Sequence, residues 1–97
     1  MYKVDFSNQF KKSYKLAQKR GLPIDRLLEV IKVLASGKDL DIKYKDHALI
    51  GNYKGFRECH ILPDWLLIYK IEKNRCILYL LNTGTHADLF EWYVYVE

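Results

Sequence analysis

Apolar and polar positions change period twice along this chain. Tyr2, Val4 and Phe6 alternate with Lys3 and Asp5, the period of two expected of a short strand. Ser7 or Asn8 then offers a side-chain oxygen to an orphan backbone N–H, the mark of a helix start. Phe10, Tyr14 and Ala17 recur at helical spacing, with lysines on the remaining faces. Gly21 ends that helix. Pro23 suits the first turn of a second, whose wider apolar face holds Ile24, Leu27, Leu28, Ile31, Leu34 and Ala35 and which Gly37 closes. So few residues join the two that an antiparallel helical hairpin is predicted.

Residues 38–52 are polar and irregular, and Gly51-Asn52 signals a turn. Beyond them the pattern becomes that of strands. Tyr53 to Leu62 reads as one, Trp65 to Ile71 as the next and Cys76 to Leu81 as a third, with Pro63-Asp64 and the polar run Glu72 to Arg75 as connecting turns. The runs Trp65 to Tyr69 and Ile77 to Leu81 are continuously apolar, which points to central strands covered on both faces, or on one face plus a partner. The aromatic tail Phe90 to Glu97 reads as a short fifth strand. The expected class is α+β, with the N-terminal helical hairpin packed on a twisted antiparallel sheet of four to five strands. At 97 residues the chain is expected to form a single domain, 1–97.

Composition narrows the function. The chain is 49% hydrophobic and 14% aromatic, a folded protein's make-up. Its formal charge is +4, unevenly spread: residues 1–60 carry 13 Lys and Arg against 7 Asp and Glu, whereas 61–97 carry 3 against 5. Between Phe6 and Ile24 stand Lys11, Lys12, Lys15, Lys19 and Arg20 with no acid, a surface suited to a polyanion or an acidic protein. Cys59 and Cys76 lie in strand-like runs without metal-ligand spacing, so reduced thiols and no structural zinc are expected. With no apolar leader and no run of ~18–20 apolar residues, a soluble cytoplasmic protein without a membrane partner is expected.

All three histidines, the chain's near-neutral titrating side chains, fall after residue 46: His47, His60 and His86. Alternation along Tyr53 to Leu62 sets Phe56, Glu58 and His60 on one face and Arg57, Cys59 and Ile61 on the other, with the apolar pair turned to the core. His60 lies four residues before Asp64, and His47 and His86 lie in loops at strand ends, where loops of a small sheet can converge. Cutting RNA without a metal needs a base for the 2′-hydroxyl, an acid for the departing 5′-oxygen and cations for the phosphoryl charge. Histidines supply the first two, Asp64 or Glu58 can orient an imidazole, and Lys45, Lys54 or Arg57 can meet phosphate. Phe90 or Trp65 can stack on an unpaired base. Each residue also has an ordinary structural explanation: turn carboxylate, core tryptophan, surface ion pair.

The strings around these residues are more specific. Tyr44-Lys45-Asp46-His47-Ala48-Leu49, Gly51-Asn52-Tyr53-Lys54-Gly55-Phe56-Arg57-Glu58-Cys59-His60, Pro63-Asp64-Trp65, Ile68-Tyr69 and Thr83-Gly84-Thr85-His86-Ala87-Asp88-Leu89-Phe90 occur in that order, after Lys15-Leu16-Ala17-Gln18-Lys19-Arg20. Together they resemble the YafQ branch of the RelE-like bacterial toxins, over residues 1–90. The resemblance implies a compact ribonuclease fold and an endoribonuclease that cuts messenger RNA in the ribosomal decoding site. It implies His47, His60, Asp64 and His86 as the catalytic set and Phe90 as an aromatic near the site; within that set we cast His86 as general acid, His47 or His60 as base and Asp64 as orienter. It also implies no cofactor and a cognate antitoxin of the DinJ or RelB kind, whose complex represses its own operon. Glu58 stands where the family often has Asp, and residues 91–97 extend past the usual end. Two other readings compete: a catalytically inactive relative acting as corepressor, and a metal-dependent hydrolase with His47, His60 and Asp64 as ligands.

Overall fold

A computed structural model describes residues 1–89 of the chain. The five strands are β1 (Lys3–Phe6), β2 (His47–Ala48), β3 (Arg57–Leu62), β4 (Trp65–Glu72) and β5 (Ile77–Gly84), in the order β1-β5-β4-β3-β2. Helices α1 (Asn8–Lys19) and α2 (Ile24–Ala35) follow β1. Ser7 is the cap of α1: its Oγ accepts from the Phe10 N–H at 2.9 Å and donates to the Leu81 carbonyl at 2.6 Å, tying the helix start to β5. Gly21, at φ +73°, turns the chain from α1 toward α2.

The α+β class stands, but the sheet is mixed. β1 runs parallel to β5, pairing Lys3 with Ile77 and Phe6 with Leu80, while the other pairings are antiparallel. The hairpin of helices returns the chain to the far edge of the sheet, which lets β1 and β5 point the same way. The fifth strand is β2, inside the stretch expected to be irregular. The strand expected over Phe90 to Glu97 lies outside the described residues. The long strand expected from Tyr53 starts only at Arg57, because Gly51–Tyr53 forms a 3-10 turn.

The apolar run of β4 is buried from both sides, as its composition implied. Trp65, Leu67 and Tyr69 join Phe10, Ala17, Leu27, Val30 and Leu34 beneath the helices. Leu66 and Ile68 face the other way and pack with Leu89, Leu49, Phe56 and Leu81. On α2 the stripe is rotated slightly from expectation: Val30 is fully buried, and Leu28 is 47% exposed. Trp65, at 1% exposure, is therefore core and not a platform for a base. Its large apolar surface stabilises that layer, offset in part by an indole N–H that has no hydrogen-bond partner among the described residues. No helix among the described residues is long and apolar enough to cross a membrane.

Candidate active site

The second apolar layer stops at the open end of β3, and the titratable groups begin there. β2 pairs His47 with Glu58, so the short edge strand sets these side chains side by side. Register shifts between His60 and Leu62 where β3 meets β4, a bulge that re-aims the strand end just beyond His60. The sequence expectation that Cys59 and Ile61 point to the core holds, both being buried, and Glu58 and His60 share the opposite face.

Glu58 lies between two imidazoles. Its Oε1 is 3.5 Å from His47 Nε2 and 3.4 Å from His60 Nε2, within ion-pair range though long for a hydrogen bond. The residue is only 5% exposed. His47 Nδ1 donates to the Lys45 carbonyl at 2.8 Å and His60 Nδ1 to the Pro63 carbonyl at 3.3 Å. A carbonyl can only accept, so both Nδ1 atoms carry hydrogen and both Nε2 atoms are left for Glu58 and for substrate. A bare Nε2 lone pair facing a carboxylate is repulsive. Glu58 is placed to attract and stabilise a proton that either Nε2 takes up from a substrate.

His86 continues the row. Ring centroids are 6.3 Å apart for His47 and His60 and 5.7 Å for His60 and His86. A short helical turn begins at His86. Thr85 and Asp88 close a capping box: Asp88 N–H donates to Thr85 Oγ1 and Thr85 N–H donates to Asp88 Oδ2, both at 3.1 Å. Arg20, the C-cap residue after α1, also reaches Asp88 Oδ2 at 2.8 Å, holding its carboxyl below the usual carboxylate range. A Cβ on Gly84 would lie 3.0 Å from Asp88 Cβ, so a side chain there would crowd Asp88 and the turn it closes. Asp64 accepts from the His86 backbone N–H at 3.0 Å and from His86 Nδ1 at 2.7 Å. Those two bonds, the backbone one first, lower the Asp64 pKa. An ionised Asp64 fixes the Nδ1–H tautomer and leaves His86 Nε2 free for substrate.

The four residues of the expected catalytic set thus converge, and Glu58 joins them. The expected phosphate ligands do not all follow. Arg57 is on the opposite face of β3, where Asp46 holds it by two contacts of 3.3 and 3.4 Å. Alternation with Cys59 and Ile61 already required this. Lys54 is exposed beyond the row, Lys45 lines a neighbouring cavity, and Phe90 lies outside the described residues. The grouping expected of a metal site also changes: His47, Glu58 and His60 offer ligand atoms all within 4.8 Å of one another, while Asp64 is committed to His86.

Several supporting residues had no obvious signal. Tyr69, 1% exposed, donates from its hydroxyl to Asp46 Oδ1 at 2.7 Å, beside Arg57. Burial, then Asp46, raises the phenol pKa well above its ordinary range. This group anchors the chain next to His47, just after Lys45, which ends the 3-10 turn Ile42–Tyr44 at φ +50°, a left-handed backbone unusual for lysine. The Thr85 and Asp88 capping box was readable from its three-residue spacing; the Arg20 contact, across 68 residues, was not.

The family described as "Bacterial toxin of type II toxin-antitoxin system, YafQ" matches residues 2–91. The chain is 42% identical over 88 residues to the mRNA interferase toxin YafQ of Escherichia coli K12, covering 90% of this chain and 94% of that protein. Among solved structures it is similar to the E. coli DinJ-YafQ complex, with TM-score 0.85, 41% identity and coverage of 93% and 99%. It is also similar to a metal-bound toxin from Helicobacter pylori, with TM-score 0.88, 42% identity and coverage of 93% and 100%.

Proposed function

From the premise that this chain belongs to the YafQ family of type II toxin–antitoxin toxins, we propose that it is an mRNA interferase that cuts messenger RNA in the ribosomal decoding site without a metal. The observation that carries the reading is the single row His47, Glu58, His60, His86 with Asp64 behind its last member. One end of the row offers a base backed by a buried carboxylate. The other offers an imidazole held in one tautomer by an ionised carboxylate. In this reading His47 or His60 takes the proton of the 2′-hydroxyl as O2′ bonds to phosphorus. As the imidazolium, with Nδ1–H on Asp64 and a second proton on Nε2, His86 gives the Nε2 proton to O5′ as the P–O5′ bond breaks. The products are a 2′,3′-cyclic phosphate and a 5′-hydroxyl, and the base returns its proton in the next step or to water. Acid–base catalysis of this kind is worth roughly 10²–10⁴ in rate.

An antitoxin is the expected partner, as DinJ is for the E. coli relative. The exposed lysines of α1 suit either an acidic antitoxin segment or ribosomal RNA. Purified protein added to ribosomes programmed with a defined message tests the reading. Cuts within the codon occupying the decoding site, with free message spared, support it; an intact message sinks it.

A second reading has one observation behind it. His47, Glu58 and His60 form a plausible two-nitrogen, one-oxygen ligand set, and the similar H. pylori toxin is metal-bound. A metal held there would supply Lewis acidity and would occupy the nitrogen atoms that the metal-free route uses as bases. Cleavage that stops in excess chelator favours this second reading.

A further inference from the structure

Beside the histidine row lies a cavity of about 310 Å³, lined by Arg26 of α2, Lys43 and Tyr44 of the 3-10 turn Ile42–Tyr44, Lys45, and the end of β3 from His60 to Pro63. β2 pairs only with Arg57 and Glu58, so among the described residues this end of β3 has β4 on one side and no strand on its outer edge. The volume is at the lower end of the roughly 300–1,000 Å³ typical of small-ligand sites.

Its charge is one-sided. No carboxylate lines the cavity. Among the described residues, Arg26, Lys43 and Lys45 pair with no acid, although Arg20, Arg57 and Arg75 each do. All three are exposed and solvated, and an anion placed among them would be attracted by each. Between them are flat apolar surfaces, the half-buried Tyr44 ring, with Lys43 Nζ 5.2 Å from its centroid, and Pro63. Cations around a ring and a proline wall match the two parts of a nucleotide, phosphate and base. His60 is a wall of the cavity and also the middle member of the row, so the two sites are continuous.

We propose that this cavity is a subsite for the RNA nucleotide adjoining the cut bond, with its phosphate met by Arg26 and Lys43 and its base laid against Tyr44 and Pro63. The proposal rests on the ribonuclease reading and extends it to residues outside the catalytic row. Lys45 contributes charge too, but its carbonyl orients His47, so it is a poor probe of binding alone.

The test uses a short fluorescent RNA, fully 2′-O-methylated so that it cannot be cut, titrated with wild-type protein, R26A/K43A and R26K/K43R across a salt series. Circular dichroism checks that the fold is kept. Losing two phosphate contacts weakens binding about tenfold at low salt and reduces the slope of log K against log salt by about 1.4, near 0.7 per contact on a single strand. R26K/K43R keeps most of the slope. On programmed ribosomes R26A/K43A raises KM with kcat little changed. Equal affinity and slope for wild type and R26A/K43A, or no binding by wild type, overturns the subsite. Wild-type protein that cuts programmed message while R26A/K43A matches it in KM and affinity removes the subsite and leaves the ribonuclease standing. Wild type that leaves the message intact removes the ribonuclease reading, and the oligonucleotide titration still reports on the cavity.

Discussion

Asp46→Ala should destabilise the fold chiefly by orphaning the Tyr69 hydroxyl. That hydroxyl belongs to a residue 1% exposed and donates to Asp46 at 2.7 Å. A buried donor left without its acceptor costs about 1–3 kcal/mol. Arg57 loses its partner as well, but its side chain is 42% exposed and can turn to water, so this adds well under about 1 kcal/mol. The expected loss is about 2–3 kcal/mol, a shift of the urea midpoint on the order of 1 M for a small domain. Tyr69→Phe removes the donor together with its need, at a cost of about 1 kcal/mol. The sharp expectation concerns the pair. Tyr69→Phe destabilises the wild type but is neutral or stabilising in the Asp46→Ala background, a coupling of about 1–2 kcal/mol. Urea unfolding of the four proteins measures it. Simple additivity of the two single losses would refute the argument that Asp46 acts through the buried hydroxyl. Because Asp46 precedes His47, Asp46→Ala should also slow cleavage more than Tyr69→Phe does.

Three further outcomes are expected. Glu58→Gln keeps the packing but removes the charge between His47 and His60, so single-turnover cleavage should fall at least about tenfold with little change in the thermal midpoint. Asp88 has its pKa lowered by Arg20 first, so the stability it contributes is present above the ordinary carboxylate value of about 4 and is lost as pH falls through its depressed value; unfolding measured from pH 5 downward should show this loss in wild type and a shallower one in Arg20→Ala. Replacing Lys11, Lys12 and Lys15 by Glu should weaken ribosome association in a salt-dependent way without altering the fold, read by sedimentation with ribosomes across a salt series.

Much of this molecule was legible before its structure. Helical spacing located Phe10, Ala17, Leu27 and Leu34 in the core, and alternation turned Cys59 and Ile61 inward. Unbroken apolarity in Trp65 to Tyr69 points to cover on both faces or on one face plus a partner, yet it still leaves Trp65 as a stacking candidate, and only its burial in the structure removes it. What local pattern cannot carry is pairing across distance. The direction of β1 depends on where the hairpin of helices returns the chain, and β2 is two residues whose identity as a strand comes only from Arg57 and Glu58 opposite. The gathering of His47, His60, Asp64 and His86 followed from the strings that flank them, not from spacing. Glu58 was the least legible member: period two chose its face, but its burial between two imidazoles depends on the edge pairing.

The central claim is that this row performs metal-free acid–base cleavage with His86 at the leaving-group end. The most direct measurement is end-group analysis of message cut on programmed ribosomes in excess chelator, by wild type and His86→Ala. Wild type should leave a 2′,3′-cyclic phosphate and a 5′-hydroxyl, and His86→Ala should fall by roughly 10²–10⁴ in rate while still binding antitoxin. A 5′-phosphate product, loss of wild-type cleavage with chelator, or an undiminished His86→Ala rate would contradict it.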